Sequence, residues 1–286
     1  MPAVTASGAT TATPSPEALK AATANAPAVD SLFVVDKTAR QSASEGIASL
    51  VQKDGPSAIK STGFTDAVIK ALGDKKSPAA REGAAGAITA VSKAAANALE
   101  PVFIDSGLYA TLLETFADKM PAVRTAAVEA VRSFVANANP WSAAFLMPAL
   151  LHEIKSASKW QVKTGSLTIL DQLVISAPQQ TAKLMPDIVP VLSEAIWDTK
   201  ADVKKHARES LTKATALVSN KDIERFIPAL IQSLINPVEE VPKTIQLLSA
   251  TTFVSEVDSP TLSLMVPLLS RGLSEKLTAT KRKVAV

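Results

Sequence analysis

The feature that most limits what this chain can become is a repeat of about 40 residues. Two separate markers carry it. Basic residues stand at Arg81, Arg124, Lys163, Lys204, Lys243 and Arg282, with successive spacings of 43, 39, 41, 39 and 39. Prolines at Pro148, Pro190, Pro228 and Pro267 are spaced 42, 38 and 39. Each period reads as a helix containing the proline, a short polar turn, and a second helix opening with the basic residue. A lone pair of helices cannot bury its apolar side, so units of this kind stack, each covering the next.

The helical reading rests on spacing. Ile223, Phe226, Ile227, Leu230, Ile231 and Leu234 form one apolar stripe at helical intervals, and Val123, Ala127, Ala130, Val131 and Phe134 form its counterpart on a second-type helix. No stretch alternates with period two for long enough to suggest a sheet. Asp118 stands six residues before Arg124, Asp198 six before Lys204, and Asp74 seven before Arg81. An aspartate in each turn, placed to pair with the basic residue of a neighbouring second helix, makes a ladder along the stack and favours HEAT over armadillo repeats.

The predicted fold is therefore all-α, a right-handed α-solenoid of HEAT-type hairpins over 29–286. About six hairpins fit, the last cut short. Residues 31–60 hold the pattern least well and predict an irregular first hairpin. The interior prolines are expected to bend the first helices. Residues 1–28 are Ala-, Thr-, Pro- and Ser-rich with almost no large apolar side chains, which predicts a disordered tail.

Composition removes several function classes. The chain is 47% hydrophobic but 4% aromatic, so its core is aliphatic. With no cysteine it has no disulfides, thiolate metal sites or cysteine nucleophiles. No apolar run approaches a membrane span, and neither a signal peptide nor an Arg-rich transit peptide is legible, which points to the cytoplasm. None of the ten glycines precedes a lysine, so there is no Walker A loop. His152 and His206 fall in different repeats without a converging cluster of metal ligands, and are expected to be ordinary helix-surface residues. The adjacent Glu239 and Glu240 read as a solvated turn. No catalytic, cofactor-binding or metal-ligating residue is assigned, and the chain is expected not to be an enzyme and to have no small-molecule substrate.

What remains is surface. The net charge is +3 with a pI near 9.0. The candidate binding residues are Lys159, Trp160, Lys163, Lys200, Lys204, Lys205, Lys281, Arg282 and Lys283. If the repeats stack in register, the turn-proximal members line one edge and can meet phosphates. The alternative is that they are solvated helix starts and ladder partners. Trp197 is expected to fill the gap between adjacent hairpins. Trp160 is open between that role and stacking on a base or anchoring a partner.

The specific wording of the chain adds a resemblance. The runs SKWQ (Ser158 to Gln161), VPVLSEAIWDTK (Val189 to Lys200), NKDIERFIPALIQ (Asn220 to Gln232), SATTFVSEV (Ser249 to Val257) and TLSLMVPLLSRGL (Thr261 to Leu273) resemble the N-terminal HEAT region of the fungal translation elongation factor 3 family. The closing TKRKVAV (Thr280 to Val286) resembles the start of a further second-type helix there. The wording is dense from Lys155 onward and mainly architectural from 31 to 154.

The resemblance implies a cytosolic, ribosome-dependent ATPase that contacts both subunits, both RNA and protein, and promotes release of deacylated tRNA from the exit site. It implies that the HEAT region is a docking arm. The ATP and magnesium chemistry would belong to two downstream ABC-type cassettes, which this sequence does not contain. The expectation is a fragment that does not hydrolyse ATP unaided. Two other readings stand beside it: a HEAT segment of a ribosome-associated translation-control scaffold, and a generic adaptor gripping peptides in its concave face.

Overall fold

The computed structural model describes residues 29–276 and 278–285; the tail assigned to 1–28 lies outside them. Among the described residues there are helices and no strands. After a 3₁₀ turn at Val29–Phe33 come α1 (Lys37–Asp54), α2 (Pro56–Ser61), α3 (Phe64–Leu72), α4 (Pro78–Asp105), α5 (Leu108–Thr115), α6 (Pro121–Asn137), α7 (Ala143–Ser156) and α8 (Trp160–Ser176). They are followed by α9 (Pro178–Lys183), α10 (Met185–Ala195), α11 (Ala201–Thr215), α12 (Lys221–Glu224), α13 (Ile227–Ile235), α14 (Pro237–Ser249), α15 (Ser259–Ser274) and α16 (Thr278–Ala285).

Six hairpins follow from this order: α3/α4, α5/α6, α7/α8, α10/α11, α13/α14 and α15/α16. Helix α1 is a second-type helix whose partner has shrunk to the 3₁₀ turn, which is the irregular start expected from 31–60. The second helices stack in succession from α1 through α4, α6 and α8 to α11. Several open on a proline, Pro78 in α4, Pro121 in α6 and Pro237 in α14, where a missing N–H costs nothing. Asp36, Ser77 and Asp258 cap α1, α4 and α15 by accepting backbone N–H groups.

The expected stripes are the core. Val123, Ala127, Ala130, Val131 and Phe134 of α6 are all buried. The few phenylalanines concentrate inside: Phe103 of α4 stacks on Phe134 of α6 with ring centroids 3.7 Å apart. Small residues let the first two second-type helices approach closely. Gly83 of α4 lies against the Leu32 carbonyl and the Arg40 side chain, so no larger residue fits between the 3₁₀ turn and α4.

Two expectations are corrected. The stripe from Ile223 to Leu234 is buried at Ile223, Phe226, Leu230, Ile231 and Leu234, but it is not one helix. It breaks between α12 and α13, and Pro228 becomes the second residue of α13 instead of an interior one. The physical reason is local: inside a continuous helix the Pro228 ring would meet the Glu224 carbonyl, and a break one turn earlier removes the clash. Pro148, Pro190 and Pro267 are interior, as expected.

The second correction concerns succession. A regular solenoid packs each hairpin on the next, yet α15 packs on α10 as well as on α13 and α14. Helix α13 has 9 residues and α15 has 16, so α15 overreaches it. The non-helical link before α15 is pinned to α12: Asp222 accepts the N–H groups of Val254 (2.9 Å) and Ser255 (2.6 Å), and Asn220 donates to the Glu256 carbonyl (3.1 Å).

Two glycines one helical turn apart test this packing with opposite signs. A Cβ at Gly83 collides with backbone, whereas one at Gly86 meets nothing within 4 Å. Gly83→Ala is expected to destabilise by about 1–3 kcal/mol, and Gly86→Ala to stabilise by about 0.5–1 kcal/mol by removing backbone freedom. Urea titration of the two variants checks both; equal shifts would contradict the close approach at Leu32.

Candidate nucleic-acid interface at the turn edge

The ladder is present at Asp118 and Asp198, whereas among the described residues the Asp74 carboxylate accepts only the Lys76 N–H and Arg40 pairs with Glu82 in its place; the pairing sorts the basic residues into two populations. The fourth residue of each second-type helix from α1 to α11 is basic: Arg40, Arg81, Arg124, Lys163 and Lys204. Arg81 grips Asp118 of the next turn with two nitrogens (Nε to Oδ2 2.6 Å, Nη2 to Oδ1 3.2 Å) and its own turn through the Asp74 carbonyl. Lys163 reaches Asp198 of the next turn at 2.8 Å. Arg40 holds the Val34 and Val35 carbonyls of its own turn and pairs with Glu82 at 2.9 Å. An arginine serves both turns because its planar fork has five donors, whereas the single ammonium of a lysine serves one.

These pairs are largely withdrawn from water, with side chains 9% and 11% exposed for Arg81 and Asp118 and 18% and 12% for Lys163 and Asp198. Burial works against the charge on Asp118. The Arg81 hydrogen bond, the Met120 N–H and the charges of Arg81 and Arg124 outweigh it and hold the carboxyl below its ordinary range. Asp198 is depressed in the same way, burial being outweighed by Lys163, the Lys200 N–H and the charge of Lys204.

Of the residues singled out in the sequence, Lys163 is thus engaged in the ladder, and Lys204 is half-buried above Asp198. Lys159, Lys200 and Lys205 stay exposed, Lys159 donating back to the Ala117 carbonyl of the preceding turn at 3.1 Å. Lys281, Arg282 and Lys283 are exposed on α16, which packs on α14 and α15 further along the stack; Lys283 donates to Gln246 at 2.7 Å. They form a cluster of their own instead of extending the row.

Sequence reasoning missed Lys75, Lys76 and Lys119, which complete the edge with Lys159 and Lys200. Lys75 and Lys76, Lys119, Lys159 and Lys200 occupy the turns of four consecutive hairpins, and all are exposed. Lys75, Lys119 and Lys159 border one groove of about 350 Å³, whose acidic members are Glu114 and the neutralised Asp118. The signal was available: Lys75, Lys76, Lys119 and Lys200 lie within two residues of a turn aspartate, and Lys159 takes the same place in a turn that has none. Asp118 and Asp198 are answered from inside, so Lys119 and Lys200 beside them leave positive charge on the outer edge. Arg40 was equally legible, 41 residues before Arg81.

Two further expectations change. Trp197 is 55% exposed instead of filling the gap between hairpins, and Trp160, which the sequence left open between packing and binding, is 38% exposed. His206 is half-buried against Asp171 of α8 (Nε2 to Oδ2 3.4 Å), where Lys213 also donates, so it joins α11 to α8; His152 is exposed. Among the described residues no three histidine or carboxylate side chains converge as a metal site, and no helix is long and apolar enough to cross a membrane.

A family described as "EF3 N-terminal HEAT repeat" matches residues 40–211, and one described as "Elongation factor 3/GNC1 HEAT repeat" matches 239–286. The match reaches back through the region whose wording looked only architectural. The chain is 52% identical over 258 residues to elongation factor 3 of Mycosarcoma maydis, covering 90% of this chain and 24% of that protein. It is 51% identical over 164 residues to elongation factor 3B of Saccharomyces cerevisiae, covering 57% of this chain and 16% of that one. The chain therefore spans about a quarter or less of the length of these relatives. Among solved structures, a chain of the Kap95:Nup1 complex superposes with a TM-score of 0.50 at 13% identity, covering 94% of this chain and 35% of that one, a likeness of fold alone.

The depressed carboxyls set a pH dependence. A carboxyl whose folded pKa lies below its unfolded value stabilises fully above the unfolded value, near pH 4, and loses that contribution as pH falls through the folded one. The urea midpoint is expected to drop on acidification below about pH 4, and the drop is expected to be shallower in Asp118→Asn/Asp198→Asn. An identical acid limb in both proteins would show that the ladder adds no ionic stabilisation.

Proposed function

The chain belongs to the elongation factor 3 N-terminal HEAT-repeat family, and from that premise we propose that it is the ribosome-docking arm of a translation elongation factor. The observation that carries the reading is the row of exposed lysines on four successive turns, in two of which the neighbouring aspartates, Asp118 and Asp198, are neutralised from within. Adjacent hairpins stand about 8–10 Å apart, so the row runs for roughly 30 Å. A rigid line of cations on that scale suits the phosphates of folded RNA better than a peptide, since affinity for RNA grows with each counterion released.

On this reading the chain positions and does not catalyse. Its contacts are with ribosomal RNA and ribosomal protein, its place is the cytoplasm, and it needs no cofactor. The ATP-driven step, promotion of elongation and release of tRNA from the exit site, would belong to ABC-type cassettes elsewhere in a full-length parent. The separate cluster at Lys281, Arg282 and Lys283 is a second point of contact on the same partner.

Co-sedimentation of the chain with purified ribosomes across a salt series tests this. Binding is expected to weaken steeply with salt, and each of Lys119→Glu, Lys159→Glu, Lys200→Glu and Lys205→Glu to lower the slope of log affinity against log salt by about one or more. Pelleting that is indifferent to salt and to these reversals would sink the lysine edge and favour an adaptor that grips protein.

A further inference from the structure

The ladder has an internal gap, and the gap adjoins an exposed tryptophan. Arg124 holds the same position in α6 as Arg81 in α4 and Lys163 in α8, but the turn it faces reads Ala157, Ser158, Lys159 and has no acidic residue. Its Nη1 donates to the carbonyls of Asp118 (2.8 Å) and Lys119 (3.2 Å), and it has no ion pair among the described residues. Arg81, by contrast, answers both a carbonyl and a carboxylate. The guanidinium of Arg124 therefore keeps donors to spare.

Those donors border a groove of about 350 Å³ between α6 and α8, with Trp160 as its aromatic wall. Trp160 is the first residue of α8, next to the exposed Lys159. The groove has one acidic residue, Glu129, and its charge is met on three sides: by Arg132 at 2.8 Å, by Lys93 at 3.6 Å and by the Ser133 hydroxyl at 3.0 Å. The floor is firm, because Gly165 lies tight against the buried Phe116 ring, where a Cβ would come within 2.6 Å. Thr125 and Gln161 supply polar groups along the sides.

We propose that this groove takes one unstacked base of single-stranded RNA, its face against Trp160 and its flanking phosphate on Arg124 and Lys159. An indole offers a stacking face to any base, and a guanidinium fork matches the geometry of a phosphate. The site lies on the same turn edge as the lysine row, which would bring RNA to it; the assignment rests on the reading of that edge as ribosome-facing. The carboxylates of an acidic peptide would satisfy Arg124 but bring no ring to stack on the half-exposed indole.

The test is fluorescence anisotropy of the whole chain with a labelled 12-nucleotide oligo-uridine, comparing wild type, Trp160→Ala and Trp160→Phe, with circular dichroism to confirm that each variant is folded. Trp160→Ala is expected to weaken binding about fivefold to a hundredfold, from a stacking contribution of one base. Trp160→Phe, which keeps a stacking face, is expected to stay within about threefold of wild type. Duplex RNA, whose bases are not available, is expected to bind wild type, Trp160→Ala and Trp160→Phe alike. Absence of oligonucleotide binding by wild type at low salt, or equal binding by folded Trp160→Ala, overturns the site. So does displacement of the oligonucleotide by deca-glutamate more readily than by unlabelled oligo-uridine, which would assign the groove to a protein. Ribosome pelleting of the same proteins keeps the two readings apart. Pelleting without oligonucleotide binding overturns the site and leaves the lysine edge. Stacking-dependent oligonucleotide binding without pelleting supports the site and removes the edge.

Discussion

An arginine at the fourth position of one helix, reaching forward to the aspartate of the next turn and back to a carbonyl of its own, ties this stack together. Hydrophobic burial supplies most of the attraction between hairpins, but burial has no direction, and aliphatic faces slide. A bidentate pair between Arg81 and Asp118, nearly closed off from water, has one geometry. It fixes the register in which one hairpin sits on the next. Lys163 and Asp198 repeat the arrangement two hairpins along, and Arg40 and Glu82 provide a variant at the start of the stack.

The same contact decides the surface. The turns that give Asp118 and Asp198 inward leave Lys119 and Lys200 outward, so a requirement of stacking leaves positive charge at the surface. Where the aspartate is absent the basic residue is released. Arg124 faces the turn of Ala157 and Ser158, and Lys204 faces a connection that has shrunk to Asn236 between α13 and α14. Paired and free charges therefore stand side by side in the same turns, and the gaps in the ladder are as informative as its rungs.

Much of this was legible beforehand. The basic residues that mark the period each fall on the second helix of a hairpin, and the stripe of α6 is buried residue for residue. The aspartate spacing anticipated the ladder. What failed had local physical causes. The stripe from Ile223 to Leu234 has helical spacing across a break, because a 3₁₀-like step between Ile223 and Phe226 keeps both residues on the buried side. Trp197 looked like filler because tryptophan is large and apolar, yet Ile196 and Val203 on either side of that turn are the buried residues, and Trp197 is left at the surface. Lys163 looked like surface because its turn is at the surface, but its side chain runs inward to a carboxylate contributed from 35 residues away.

The sequence by itself determined the helices, their pairing and the period of their stacking, because each depends on contacts within one hairpin or between neighbours of like pattern. Which charges stay free was decided only by tertiary structure. Lys159 and Lys163 are four residues apart and chemically identical, but one is exposed and the other is held by Asp198. That difference depends on where the next turn comes to rest. The return of α15 onto α10 was likewise decided there, since it follows from the lengths of helices in separate repeats and from Asp222 anchoring the link between them. A periodic pattern encodes nearest neighbours; contacts that skip a repeat, and charges that choose between solvent and a partner, need the assembled stack.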